Sequence, residues 1–219
     1  MRLILGYHEH FWSAERRRSF YFGALLLVGA LLFQYVAGQH STRYALKAPF
    51  AGDLLLDNLP VVNLDLLIVQ GAILLWVGVS ILLTFRPHYL IFGMKAIAFF
   101  IIVRSVSINL THIGIYPNQM VLDPSDFGYS LYGLFAFQGN YFFSGHTGLP
   151  FLMSLVFWQN RFWRRFFVGV SVLFGASVIL AHVHYSIDVF AAPFITYGIF
   201  QIAKQIFPKD YALVSMEKS

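Results

Sequence analysis

Apolar residues along this chain come in six long runs, which short polar stretches separate. The runs cover approximately residues 19–38, 64–85, 89–110, 146–158, 166–181 and 184–207. The pattern predicts an all-α integral membrane protein in which six transmembrane helices form one bundle. The fourth and fifth runs hold only about 15 residues, fewer than the ~20 that cross the hydrocarbon layer. We therefore expect these two helices to end slightly below one membrane surface.

The polar stretches do not indicate a second domain. Residues 1–18 form a short N-terminal segment, and residues 208–219 form a tail. The longest loop, 111–143, contains no lysine or arginine. We therefore expect residues 1–219 to fold as one six-span domain.

Composition supports the membrane class. The chain is 58% hydrophobic and 11% charged, whereas about a quarter of the residues in a soluble domain are charged. The net charge of +5 could indicate a nucleic-acid partner. However, the cations lie in short loops between apolar runs, as membrane topology requires, so we expect no nucleic-acid partner. There are no cysteines, which excludes disulfides.

The distribution of lysine and arginine predicts the orientation. These residues cluster in the N-terminal segment, after the second and fourth runs, and in the tail, whereas the opposite side has only Arg43 and Lys47. Positively charged loops stay in the cytoplasm. We therefore expect both termini to be cytoplasmic, and loop 111–143, His146 and His184 to face the extracytoplasmic side.

Two polar motifs stand where apolar runs meet loops. They are Ser144-Gly145-His146-Thr147 and His182-Val183-His184-Tyr185-Ser186-Ile187-Asp188. About two helix lengths separate them, so a helical hairpin would bring them to the same side. A Ser-Gly turn at a helix start offers backbone N–H groups to an anion. The spacing of four places His184 and Asp188 on one helix face, where the carboxylate can orient the imidazole. Together these groups suit phosphoryl transfer.

Each candidate also has a structural interpretation. His184 and Asp188 could form a polar pair between helices, and His146 could cap a helix start. If a helix already begins at His182, that residue lies about 200° around it from His184, which favours a supporting role. Arg104 lies inside the third run and needs an anionic partner. That partner could be an aspartate or a substrate phosphate, and the candidate aspartates are Asp65, Asp123 and Asp188.

The two motifs, in this order and at this separation, resemble those of the sphingomyelin synthases within the type 2 phosphatidic acid phosphatase superfamily. The stretch from Arg104 to Thr111 resembles the family's arginine-containing motif. Asp53 and Asp57 resemble its acidic loop, although a solvated loop explains them equally well. The resemblance implies a catalytic set and a phosphate-binding set. The catalytic residues would be His146, His184 and Asp188, and the phosphate-binding residues would be Arg104, Ser144, Gly145, His182 and Tyr185.

The resemblance implies transfer of a phospholipid head group to a lipid acceptor such as ceramide or diacylglycerol. His184 would form a phosphohistidine, and neither a cofactor nor a metal would be needed. One departure is Gln138-Gly139-Asn140, where the synthases have Cys-Gly-Asp, and the loss of that carboxylate could change the head group accepted.

Three alternatives remain: a lipid phosphate phosphatase, a phospholipase C-type hydrolase, and a non-enzymatic lipid transporter or scramblase. The phosphatases have a Ser-Arg pair and an Arg-Pro pair where this chain has Ser177-Val178 and Arg104-Ser105. A site with one arginine suits a singly charged diester better than a dianionic monoester. Lys95 or Lys47 could still complete a phosphatase pocket. A transporter predicts ionisable residues throughout the bundle, whereas here they gather at one end.

Overall fold

The computed structural model describes residues 11–120, 137, 139 and 141–215, and this part of the chain is helical with no strands. Its helices are α1 Ala14–Ala45, α2 Asp65–Phe85, α3 Pro87–Leu110, α4 Gly145–Val156, α5 Arg161–Leu180, α6 Ser186–Ile206 and α7 Pro208–Ser215. Five helices, α1, α2, α3, α5 and α6, are long and apolar enough to cross a membrane. The prediction of an α-helical membrane protein is therefore confirmed, whereas six spans and cytoplasmic termini stay predictions.

The fourth helix is short, as predicted, whereas the fifth is longer than predicted. α4 has only 12 residues, and at 1.5 Å per residue it is about 18 Å long. α5 has 20 residues, so the expected short fifth helix was wrong. It begins at Arg161 because Asn160 caps it, with Oδ1 accepting the N–H of Trp163 at 3.1 Å. Arginine is a good helix former, so the polar stretch that had been assigned to a loop extends the helix instead.

α3 is the central helix of the bundle and is buried along most of its length. It contacts α1, α2, α4, α6 and α7, and Tyr89, Phe92 and Phe100 are fully buried in its interface. α1 and α2 instead leave large apolar side chains such as Leu25 and Leu74 exposed, as helices that face lipid do. The position of α3 explains how Arg104 comes to lie in the interior.

A buried ion pair fixes α7 to the bundle at the end remote from the two motifs. Nζ of Lys95 donates to Oδ2 of Asp210 at 2.6 Å and to Oγ of Ser19 at 2.7 Å. Lys95 precedes Arg104 by nine residues, which is about 14 Å along the axis of α3. The suggestion that Lys95 completes a phosphatase pocket does not fit this position.

Some sequence predictions fall outside the described residues. They concern Asp123, Gln138 and Asn140, most of loop 111–143, the first ten residues and the end of the tail.

Candidate active site

The two motifs meet where α4 and α6 begin. The backbone N–H of Ser144 donates to the carbonyl of Asp188 at 2.9 Å, which ties the start of α4 to the first turn of α6. Oγ of Ser144 accepts the N–H of Thr147 at 3.3 Å and caps α4. Asp188 also accepts the N–H of Phe142 through Oδ1 at 3.1 Å. The structure thus places the two motifs side by side, as a helical hairpin predicts.

A tight turn after α5 directs His184 into this site. The N–H of His182 donates to the carbonyl of Ile179, and that of Val183 to the carbonyl of Val178, both at 2.9 Å. This pattern is a Schellman motif, whose left-handed position usually holds glycine. Here it holds His182, with a φ of 56°. The sixth helix was expected to begin near His184, but it begins at Ser186, because the turn reverses the chain first.

His184 and Asp188 form the central pair of the site. Nδ1 of His184 lies 3.2 Å from Oδ2 of Asp188, and the two residues are 4% and 1% exposed, so water does not compete for the bond. With the carboxylate ionised, Nδ1 is the donor and Nε2 keeps its lone pair. The expected contact is present, although His184 lies ahead of α6 instead of on one of its faces.

His146 faces His184 across a narrow gap. It is the second residue of α4 and is half-buried, and the centroids of the two imidazole rings are 6.2 Å apart at an angle of 66°. An atom in hydrogen-bonding contact with both rings, at about 3 Å from each, would fit between them. The arrangement can therefore hold a reacting group between two proton-transferring side chains.

Arg104 reaches the start of α4 from the central helix. Its Nε donates to the carbonyl of Phe143 at 3.1 Å, and the side chain is buried. A Cβ atom on Gly145 would lie 3.4 Å from that Nε, an ordinary van der Waals distance, so the guanidinium group packs directly against the start of α4. A guanidinium beside a helix N-terminus provides two favourable environments for an anion at one place. Arg104, Ser144 and Gly145 are thus brought together as predicted.

His182 and Tyr185 do not join this cluster in the way expected of phosphate-binding residues. The ring of His182 is buried edge-on against Tyr116 at 5.3 Å, and neither ring nitrogen has a hydrogen-bond partner among the described residues. The hydroxyl of Tyr185 donates to the carbonyl of Gly114 at 2.9 Å and accepts the N–H of Ala51 at 3.2 Å. The hydroxyl therefore links the loop after α1, which contains Ala51, to the loop after α3, which contains Gly114.

Two further positions bear on the site. Val178, which stands where phosphatases have arginine, is fully buried in an apolar cluster with Ile68 and Ala181. An arginine there would need a different arrangement of α5. Lys47 is exposed on the surface. Across residues 11–120, 137, 139 and 141–215, no three histidine, aspartate or glutamate side chains form a group that could hold a metal ion.

Sequence reasoning did not identify Asp53 as part of this region. Its Oδ2 accepts the N–H of Ser186, the first residue of α6, at 2.7 Å. The only signal in the sequence was the resemblance of Asp53 and Asp57 to an acidic loop, and that resemblance did not indicate which helix the loop would contact.

Residues 139–205 match the family model described as PAP2 superfamily C-terminal, and both motifs lie inside this range. The match supports the type 2 phosphatidic acid phosphatase superfamily, whose members are generally phosphatases and phosphotransferases. It therefore supports an enzyme that acts on phosphate esters. Comparison with curated proteins and with solved structures gave no match.

Proposed function

We propose that this chain, whose C-terminal part matches the type 2 phosphatidic acid phosphatase superfamily, is a multi-pass lipid head-group phosphotransferase similar to the sphingomyelin synthases. The main support is the buried contact between Nδ1 of His184 and Oδ2 of Asp188, with His146 facing the same ring. A carboxylate that holds the proton on Nδ1 directs the lone pair of Nε2 at an electrophile.

In the proposed cycle, Nε2 of His184 attacks the phosphorus of a donor phospholipid. The bond from phosphorus to the diacylglycerol oxygen breaks, and protonated His146 gives its proton to that oxygen. His146 then takes the proton of an acceptor hydroxyl, such as that of ceramide, and the acceptor oxygen displaces the histidine from phosphorus. Arg104 and the backbone at Ser144 and Gly145 hold the phosphoryl oxygens through both steps.

The distribution of positive charge favours transfer from a diester. Arg104 is a buried cation beside the start of α4, whereas Lys95 is bound to Asp210 near the other end of α3. A phosphomonoester carries close to two negative charges and a diester carries one. In a partly dehydrated site, the second charge is destabilising by several kcal/mol unless it is paired. Choline and ethanolamine head groups bring their own positive charge.

Incubation of the purified protein with labelled phospholipids, with and without ceramide, tests this proposal. We expect kcat/KM to be higher for phosphatidylcholine or phosphatidylethanolamine than for phosphatidic acid, and diacylglycerol to form only when an acceptor lipid is present. Diacylglycerol release without an acceptor would indicate a phospholipase C-type hydrolase. Phosphate release from phosphatidic acid, with no product from either diester, would indicate a phosphatase. Lipid movement without any product would indicate a scramblase.

We further propose six spans, cytoplasmic termini and an extracytoplasmic site. α4 leads away from the site and α5 returns to it, so Arg161 lies at the opposite end of α5 from the turn that carries His184. Because the chain has no cysteine, Leu54→Cys and Arg161→Cys each introduce one thiol. Leu54, near the site, is 79% exposed. A membrane-impermeant thiol reagent should label position 54 but not position 161 in intact cells, and the reverse result would invert the orientation.

A further inference from the structure

Asp53 connects the loop between α1 and α2 to the first residue of α6. Its Oδ2 accepts the N–H of Ser186 at 2.7 Å across a separation of 133 residues. Its Oδ1 accepts the N–H groups of Leu55 and Leu56 at 3.0 and 3.2 Å. The carboxylate is buried, so water does not replace it as the partner of Ser186.

Two backbone donors at the start of α6 each have a carboxylate acceptor: the N–H of Tyr185 bonds to Asp188 and that of Ser186 to Asp53. The N–H groups at a helix N-terminus have no acceptor within the helix. Asp188 accepts the N–H of Tyr185 through Oδ2 at 3.2 Å and the N–H of Phe142 through Oδ1 at 3.1 Å. The third contact of Asp188 is with Nδ1 of His184. Because Asp53 takes the N–H of Ser186, Asp188 does not have to turn toward that donor.

We propose that Asp53 is a positioning residue for the reaction at His184. It satisfies the N–H of Ser186 and thereby leaves Oδ2 of Asp188 in place to hold the proton on Nδ1 of His184. The proposal rests on the proposed function for its kinetic consequence, but its structural consequence, the tautomer of His184, can be measured without substrate.

The loop that carries Asp53 is built to keep this carboxylate in position. Oδ2 of Asp57 accepts the N–H of Asp53 at 3.1 Å, and Oδ1 of Asp57 accepts the hydroxyl of Tyr116 at 2.6 Å. That hydrogen bond raises the pKa of Tyr116 to about 12, so the phenol stays a donor at neutral pH. Burial alone raises the pKa of Asp53, but the backbone N–H groups of Ser186 and Leu56 outweigh burial and hold that pKa below its usual range. Asp53 is therefore ionised at neutral pH.

The test compares removal of the acceptor with removal of the donor. Asp53→Ala leaves the N–H of Ser186 without its carboxylate. Ser186→Pro removes that N–H altogether, and proline is favoured at the first position of a helix. The preceding residue, Tyr185, has φ −62° and ψ 150°, which is the conformation that a following proline requires.

Activity is measured as kcat and KM for the phospholipid. Nitrogen-15 NMR of histidine-labelled protein measures the fraction of His184 with the proton on Nδ1, with the signal assigned by its loss in His184→Ala. Asp53→Ala should lower kcat by up to about 100-fold, the scale of a small misplacement of reacting groups. KM should stay within about twofold, and the Nδ1-protonated fraction should fall.

Two variants should retain the tautomer and most of the activity. Ser186→Pro has no donor to satisfy, and Asp53→Ala combined with Ser186→Pro removes both partners. Asn58→Ala is the matched control, since it removes an exposed polar side chain of the same loop, whose amide donates to the carbonyl of Leu54, without touching Asp53 or α6, and it too should retain the tautomer.

Other results would overturn the assignment. If Ser186→Pro alone lowered kcat as much as Asp53→Ala, Asp53 would only anchor its loop. An unchanged tautomer in folded Asp53→Ala would also contradict the proposal. Should Asp53→Ala fail to fold, the double variant and Ser186→Pro decide, because both must keep the wild-type tautomer. If the wild-type protein had no transferase activity but Asp53→Ala still shifted the tautomer, the positioning role would be supported and the proposed function rejected.

Discussion

His184→Ala is expected to abolish head-group transfer, with kcat/KM falling by about four orders of magnitude or more. The ring of His184 is buried, and its Nδ1 is bound to Asp188. In the described part of the chain, no other histidine ring contacts this carboxylate. Loss of the buried hydrogen bond should lower the free energy of unfolding by about 1–3 kcal/mol, so the protein should still fold.

The matched control is His112→Ala. His112 follows α3 at the same end of the bundle, but it is exposed, and its ring stacks on Tyr44 at 4.5 Å. This variant should keep the wild-type kcat and KM. Both variants are purified, their thermal unfolding is recorded, and transfer is measured with the best donor lipid. Substantial activity in folded His184→Ala would reject His184 as the nucleophile.

Asp188→Asn is expected to lower kcat by about four orders of magnitude, because the amide no longer holds the proton on Nδ1 of His184. The structure adds a second effect. Oδ1 of Asp188 faces the N–H of Phe142, and Oδ2 faces the N–H of Tyr185 and Nδ1 of His184. An amide has only one oxygen, so its NH₂ group would face a donor in either orientation. The free energy of unfolding should fall by about 1–3 kcal/mol.

Thermal unfolding and transfer assays on the same preparation separate these two effects. The control is Glu15→Gln, because it makes the same carboxylate-to-amide change at an exposed position, beside Lys209, far from His184. A lower melting temperature with more than a tenth of the wild-type kcat would mean that Asp188 acts only in stability. A loss of kcat with a melting temperature near that of the wild type would mean that it acts only through the tautomer.

The sequence alone determined the class of the protein and the position of most helices. The apolar runs at 64–85 and 89–110 correspond to α2 Asp65–Phe85 and α3 Pro87–Leu110. Pro87 separates them, because proline is tolerated in the first turn of a helix but interrupts its interior. The two polar motifs could also be paired from sequence, since a hairpin of two helices returns the chain to the same end of the bundle. These inferences depend on local pattern and on helix length.

Only the tertiary structure decided how the site is held. The left-handed turn at His182 contains no glycine, the residue that usually marks such a turn, so the sequence placed the start of the sixth helix near His184 instead of at Ser186. The bond from Ser186 to Asp53 joins residues 133 positions apart, and no periodicity encodes such a contact. From sequence, Val178 stood out only because phosphatases have an arginine at that position, whereas the structure shows it buried among apolar side chains. Each of these features depends on which elements meet in space. Hydrophobic pattern predicts where helices form, although not the length of each one, whereas the pairing of buried polar groups is decided by the packing that brings their partners together.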